Sequence, residues 1–427
     1  MKWFWILLYN LIFYPVLFVF ALFGSLFDKK IRKGMIGRIS TVGILKKYFK
    51  NRSINKLIYW FHSSSYGEYL QIEPVIRGVK EIEPEAIILL SFSSPSGYDQ
   101  VDAENIDCKI YLPFDFPWTI YRVFKIVNPR KMIFASYDIW PNWIWIAAWN
   151  KIHTNVIAAR VKDHSNKTKP VLRNIYRSIY GSMASIYTVT EKDHMRIRSL
   201  VGSGASTIIR VLGDPRYDQV KTHADEFTRE RVELLLDREK RLVTGSMHSE
   251  DEQVILNPLV SYMLENNDLK VLWVPHEPSV SEIKRLIKLF QWSGLSVGVI
   301  GSKNNLTIPD EQLVIVSVVG ILSKLYWQAQ VAYIGGGFST GIHNVMEPAI
   351  ARLPVIFGPK YHHAHEAEEL LESGGGFCVK TGEEFIGYLS RILSSKDRLM
   401  EASYSATNVI HRNIGSSTRI VRGLIRD

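Results

Sequence analysis

The sequence predicts an α/β fold: two Rossmann-like domains with open parallel sheets, facing one another across a cleft and preceded by an N-terminal membrane-anchor helix. Three observations carry that expectation. Short apolar runs alternate with helical stretches from residue 57 onward, as in a parallel sheet covered on both faces. The alternation restarts after a charged stretch at 218–240, and 427 residues with 46% hydrophobic content are enough for two cores. Residues 3–27 carry no charge at all.

That uncharged run exceeds what is needed, at about 1.5 Å per residue, to cross a hydrocarbon core of roughly 30 Å. It is too long for the apolar region of a signal peptide and lacks a small-residue cleavage site, so it is expected to be retained. Asn10, Pro15 and the many aromatics leave open a helix that lies in the interface instead of crossing it. Ten Lys or Arg and no acid follow between residues 29 and 56. They place the rest of the chain on the cytoplasmic side. Without them 42 basic residues balance 42 acids, so the net charge of +10 belongs to this segment. Its natural partner is the anionic headgroups of a membrane, and no basic reading surface for nucleic acid remains. Two cysteines, Cys108 and Cys378, exclude a disulfide framework and a Cys-based metal site and fit a reducing compartment. The organisation read from this is an anchor at 1–28, a basic segment at 29–56, a first domain at 57–217, a linker helix at 218–240, and a second domain at 241–427 that includes terminal helices.

In the first half, strands are expected at 57–61, 86–92, 109–112, 132–135, 156–159, 185–189 and 208–212. Helices are expected at 68–82 and in the Trp-rich segment after Trp140, where Pro141 sits early and its missing N–H is harmless. In the second half, strands fall at 241–244, 271–274, 313–316, 331–334 and 354–357, with helices at 250–264 and 281–290. Each half ends its first strand in a loop containing Ser and His: His62 to Glu68, and Gly245 to Glu250. Ligands of open α/β sheets bind outside the carboxyl ends of the strands, which draws attention to these loops.

The stretch 331–359, VAYIGGGFSTGIHNVMEPAIARLPVIFGP, reads as strand, glycine loop, helix, strand. Gly335, Gly336, Gly337 and Gly341 let backbone approach a ligand, and a helix opening near Asn344 offers free N–H groups to a phosphate or carboxylate. Asn344 and Glu347 also have capping-box spacing, so the pair serves equally well as a cap or as ligand contacts, Glu347 suiting ribose hydroxyls. Glu68 begins a helix after a strand-end loop, where it can act as a general base or be an ordinary first-turn acid. Ser64 and Ser65 read as loop and cap hydroxyls, since no nucleophile elbow surrounds them. Asp138 either binds substrate hydroxyls or caps the Trp-rich helix. His62 reads as structural. His248 and His276 can each hold a phosphate or be a buried imidazole. His362, His363 and His365 lack the acid or Cys partners of a metal site, and no metal is expected there.

Taken together and in order, FHSSSYGE, YLPFDFPW, SYDIWPN, VLGDPRYD, YIGGGF with GIHNVMEPA, and LPVIFGP resemble the 3-deoxy-D-manno-oct-2-ulosonic acid (Kdo) transferases of Gram-negative bacteria. The resemblance implies a GT-B fold, with the acceptor bound by the N-terminal domain and the nucleotide-sugar donor by the C-terminal one. It implies transfer of Kdo from CMP-Kdo to a lipid A precursor at the cytoplasmic face of the inner membrane, with inversion and without a cofactor or essential metal. Glu68 then matches the general base, with Ser64, Ser65 and Asp138 on the acceptor side. His248, His276, Gly335, Gly336, Gly337, Asn344 and Glu347 fall on the donor side. The chain departs from the family twice. Val274-Pro-His-Glu-Pro278 lacks the arginine that precedes the family's histidine, and Ser136-Tyr-Asp138 stands where the family has Glu-Thr-Glu. A divergent transferase using another nucleotide sugar, and a non-catalytic protein that senses a nucleotide or glycolipid, remain open alternatives.

Overall fold

The computed structural model describes every residue except 1, 51–55, 103, 162–164, 166, 168, 230–232, 304–306 and 427. The chain forms two compact units, residues 1–219 with 415–427, and residues 220–414.

The sheet of the first unit contains β1 (Ile58–Ser63), β2 (Ile87–Phe92), β3 (Cys108–Tyr111), β4 (Lys131–Ala135), β5 (His153–Ala159), β6 (Ser185–Thr188) and β7 (Ile208–Val211). Their order is β3-β2-β1-β4-β5-β6-β7, and every pairing is parallel. The strands of the second unit are β8 (Arg241–Met247), β9 (Lys270–Pro275), β10 (Val297–Ile300), β11 (Leu313–Val316), β12 (Val331–Ile334), β13 (Val355–Phe357) and β14 (Gly376–Cys378). Their order is β10-β11-β9-β8-β12-β13-β14, again all parallel. β1, β2 and β4 are buried at every residue, which is why they read as unbroken apolar runs.

Chain direction across each sheet reverses once, between β1 and β4 in the first and between β8 and β12 in the second. Such switch points open a crevice at the carboxyl ends of the strands. Ser136, just after β4, and Ser246, near the end of β8, both adopt left-handed backbone with φ of 49° and 58°. Each conformation costs a non-glycine residue about 1–2 kcal/mol.

β10 and β14, at the two edges of the second sheet, have no counterpart in the sequence reading. Gly298 interrupts the apolar run of β10, and β14 is only 3 residues long. The expected linker helix spans Arg216–Thr228 and stops there.

The last helix, Ser416–Arg426, belongs to the first unit and not to the second domain expected to run to 427. Ile420, Val421 and Leu424 are buried beside Ile72 and Tyr187 of the first core. The Asp218 carboxylate accepts hydrogen bonds from Gly415 N (2.5 Å), Ser417 N (2.7 Å) and Ser417 Oγ (2.7 Å), which pins the returning chain.

The N-terminal apolar stretch forms helices Lys2–Leu8 and Tyr14–Phe27 joined by a π-helical turn, Tyr9–Phe13, and is long and apolar enough to cross a membrane. It does not stand apart from its domain. Tyr9 Oη donates to Asp115 Oδ2 (2.8 Å), Tyr14 Oη accepts from Asp115 N (2.6 Å), and Asn10 exchanges amide hydrogen bonds with Asn142 (2.9 and 2.8 Å). Polar groups face the domain, while Phe4, Leu11, Phe20, Phe23 and Phe27 remain bare on the other side. Asp28 caps the next helix, Lys29–Phe49, which carries most of the basic segment; Arg52 lies outside the described residues.

Candidate functional site

Glu68 sits in the first turn of helix Tyr66–Ile82, which follows β1 through the Ser63–Ser65 loop. The Ser65 hydroxyl caps that helix by accepting from Glu68 N (3.4 Å). Glu68 Oε2 in turn accepts from Ser64 N (2.5 Å) and Ser64 Oγ (2.7 Å). One carboxylate oxygen is thereby fixed, and the side chain stays partly exposed at the carboxyl edge of the sheet. Ser64 and Ser65 hold the carboxylate in place, the loop and cap roles read from the sequence.

Asp138 does not cap the Trp-rich helix. Asp115 does, its carboxylate accepting from Asn142 N (3.3 Å) and Trp143 N (3.2 Å) at the start of Pro141–Trp149. Asp138 instead accepts from Ser93 Oγ (2.5 Å) and pairs with His62 Nε2 (3.0 Å) at the β1/β4 switch point. His62 is fully buried, and its Nδ1 lies 3.0 Å from Ser91 Oγ. Burial alone would raise the Asp138 pKa, but hydrogen bonds from His62 and Ser93 and the Arg38 charge hold it below the usual carboxylate range.

Sequence reasoning missed Arg38. It counted as one of ten membrane-facing cations, yet its guanidinium turns inward and donates to Leu112 O (2.9 Å) and Ser93 O (3.2 Å). Its position on the same helix face as Gly34 and Thr41, both buried, was the available signal.

In the second unit, the ends of β8, β9 and β12 bring three histidines together. His248 Nε2 lies 2.9 Å from His343 Nε2. The His276 ring stacks on both, with centroids 4.3 and 4.7 Å away. Ring nitrogens of all three lie within 4.8 Å of one another, close enough to share a metal ion. His248 and His343 meet nearly in plane, Nε2 to Nε2, and the His276 ring lies over both at 19–30°, so one N–H of that pair is spent between the two rings. Burial, with the neighbouring His276 and His248, lowers the His343 pKa to about 4, and burial with His248 lowers that of His276. His343 lies inside the stretch quoted above but carried no assignment from the sequence.

The glycine loop differs from expectation. Gly336 N donates to Asp251 Oδ2 (2.6 Å) and Phe338 N to Asp251 Oδ1 (3.4 Å), so these amides are already taken by a buried carboxylate of the chain itself. Tyr333 Oη donates to the same carboxylate (3.0 Å). A Cβ on Gly335 would fall 2.2 Å from Ser246 O, and one on Gly337 2.5 Å from Gly358 backbone. The glycines serve backbone-to-backbone packing. A helix does open near Asn344. The helix is the 5-residue Met346–Ile350, and Asn344 Oδ1 accepts from Met346 N (2.9 Å).

Glu347 lies apart from the histidine stack, on the wall of a cavity of about 540 Å³ with Lys324, Trp327, His223 and Phe227. Burial raises its carboxyl pKa against a hydrogen bond with Asn344. In the His362, His363 and His365 tract, two histidines share an acid neighbour that the sequence reading did not find. His362 and His365 lie 3.7 Å from Glu368, and His363 Nε2 lies 3.1 Å from Ile342 O.

Residues 39–219 match the family model described as 3-deoxy-D-manno-octulosonic-acid transferase (kdotransferase). The chain is 29% identical over 334 residues to the 3-deoxy-D-manno-octulosonic acid transferase of Chlamydophila psittaci, covering 75% of this chain and 74% of that protein. It is 27% identical over 363 residues to the enzyme of the same name from Aquifex aeolicus, covering 83% and 92%. Among solved structures, UDP-GlcNAc 2-epimerase from Neisseria meningitidis, bound to UDP-GlcNAc, aligns over 87% of this chain and 100% of its own with a TM-score of 0.60 and 13% identity. That likeness concerns the fold alone, the GT-B pattern of two Rossmann-like domains.

Proposed function

We propose that this chain, a glycosyltransferase of the Kdo transferase family, moves Kdo from CMP-Kdo to a lipid A precursor at the cytoplasmic face of the inner membrane. The observation that carries the reading is Glu68, a half-exposed carboxylate at the carboxyl edge of the first sheet with one oxygen held by Ser64. A base so placed takes the proton of an acceptor hydroxyl while that oxygen attacks the anomeric carbon of Kdo. The new C–O bond forms as the bond to phosphate breaks, and CMP leaves with the electron pair. The configuration at the anomeric carbon inverts.

His248, His276 and His343 are the groups that meet the departing phosphate; the 2.9 Å contact between His248 Nε2 and His343 Nε2 takes up one N–H of that pair, and the others are left for the growing charge. Glu347, on its own cavity, takes the nucleoside's ribose hydroxyls. Ser64 and Ser65 act on the acceptor side by fixing Glu68, and Asp138 by presenting the His62–Ser93 network to it. The apolar N-terminal helix and the exposed lysines at 29, 30, 46, 47 and 50 hold the enzyme against anionic lipid, where its glycolipid acceptor lies. No residue in this scheme calls for a metal or cofactor.

The test is transfer from CMP-Kdo generated in situ to tetraacylated lipid A precursor, reading product mass for wild type and Glu68→Gln. Wild type forms a Kdo-bearing product; the variant loses about 10²–10⁴-fold in rate while keeping its fold and its CMP affinity. Folded wild type that yields no product from intact substrates would sink the reading.

A further inference from the structure

We propose that a cavity on the first unit receives one fatty-acyl chain of the glycolipid acceptor, which makes the N-terminal helix part of the acceptor site as well as a membrane contact. This rests on the reading of the chain as a transferase acting on an acylated sugar. The cavity is about 320 Å³, within the roughly 300–1,000 Å³ usual for ligand sites. Its walls are hydrocarbon: Leu17, Phe18 and Ala21 from helix Tyr14–Phe27, Met35 from helix Lys29–Phe49, and Phe114 and Trp140 from the loops after β3 and β4. Lys30 and Tyr14 also line it.

Two further features identify the occupant as an amphiphile that carries its reacting group on a chain. The first is continuity with the bilayer side. The helix that supplies Leu17, Phe18 and Ala21 leaves its other face bare, with Phe20 72% exposed, so the cavity wall and the membrane contact are two faces of one helix. The second is the far end, where the lining becomes polar with Arg38, Ser93 and Ser94. Ser94 N donates to Ser64 O (3.0 Å), and Ser64 is the residue whose N–H and hydroxyl hold Glu68. A head group attached to a chain in this cavity therefore emerges beside the loop of the base. Arg38, held by Ser93 O and Leu112 O at this polar end, supplies a fixed positive charge that suits an anionic head group. An anionic phospholipid shares the hydrocarbon and the charge, and competition with added phospholipid distinguishes the two.

The direct test uses full-length protein in phospholipid nanodiscs and a tetraacyl disaccharide acceptor with a diazirine at one acyl terminus. After photolysis, adducts are expected on Phe18, Met35 or Phe114, and unlabelled acceptor suppresses them where added phospholipid does not. Adducts confined to the outward residues Phe20 and Phe23, or competed equally by phospholipid, would overturn the proposal. A kinetic arm compares kcat/KM for acylated acceptor and for its deacylated, water-soluble form. Ala21→Trp, which fills the cavity, lowers the acylated-to-deacylated ratio by about tenfold or more, whereas Phe20→Trp on the outward face leaves that ratio at the wild-type value. An unchanged ratio in Ala21→Trp also overturns the proposal. Wild type that transfers Kdo to neither acceptor removes the transferase reading itself, an outcome the labelling pattern reports independently.

Discussion

Replacing Asp251 tests whether the glycine loop is shaped by the protein's own carboxylate. Asp251 is fully buried and accepts from Gly336 N at 2.6 Å, Tyr333 Oη at 3.0 Å, His248 N at 3.3 Å and Phe338 N at 3.4 Å. The last two are long and weak, so the account rests on the first two. Asp251→Ala strands two buried donors at about 1–3 kcal/mol each, partly offset because a carboxylate no longer has to be buried. A net loss of about 3 kcal/mol follows, which for a unit of this size lowers its melting temperature by about 6–12 °C. Asp251→Asn is the sharper variant because it keeps shape and volume. Oδ1 faces Tyr333 and Phe338 while Oδ2 faces Gly336 and His248, so an amide in either orientation points its NH₂ at a donor. It should cost at least half as much as the alanine change. Calorimetry on the full chain reads this as a downward shift of the transition of the 220–414 unit, with that of the other unit unmoved. CMP affinity should fall in parallel as the 335–338 loop loosens. A shift below about 2 °C for Asp251→Asn would refute the assignment of the loop's shape to that carboxylate.

Three other expectations follow from the same structure. The His343 imidazole, with its pKa lowered to about 4 against an unfolded value near 6.5, binds fewer protons folded than unfolded between those limits. The stability of the second unit therefore falls as pH drops through that window, and His343→Gln flattens the fall in urea melts taken between pH 4 and 7. If the histidine stack meets the phosphate, CMP binding near pH 6 draws protons onto it, an uptake measured by titration calorimetry in buffers of different ionisation enthalpy; equal heats in all buffers would exclude that role. Leu424→Ala, close to the C-terminus, should cost about 2–4 kcal/mol and lower only the transition of the first unit, because Leu424 packs in that core. A shift in the second unit's transition instead would contradict the return of the last helix.

What the sequence discloses and what it conceals divide along one physical line. A fully buried parallel strand must be apolar at successive positions, so β1, β2, β4 and β12 are legible one residue at a time; β10 and β14 are not, since Gly298 and a length of 3 residues erase the run. Glu68 is legible for a related reason, because a first-turn acid after a strand-end loop has few places to point. Partnership across the fold is a different matter. Asp251 lies among Glu250 and Glu252 in one acidic turn, and only the position of β12 decides which of the three is swallowed by the glycine loop. Asp115 and Asp138 both follow strands of one sheet, and choosing between them as cap of the Trp-rich helix needs the loop geometry of β3 and β4. Arg38 is harder still, since nine other cations surround it in sequence and its inward turn depends on a cavity walled by a helix that reads only as an anchor. Glycine loops are the most misleading feature, because the missing Cβ that would admit a phosphate equally admits a second stretch of backbone. At Gly335 and Gly337 it is backbone that enters.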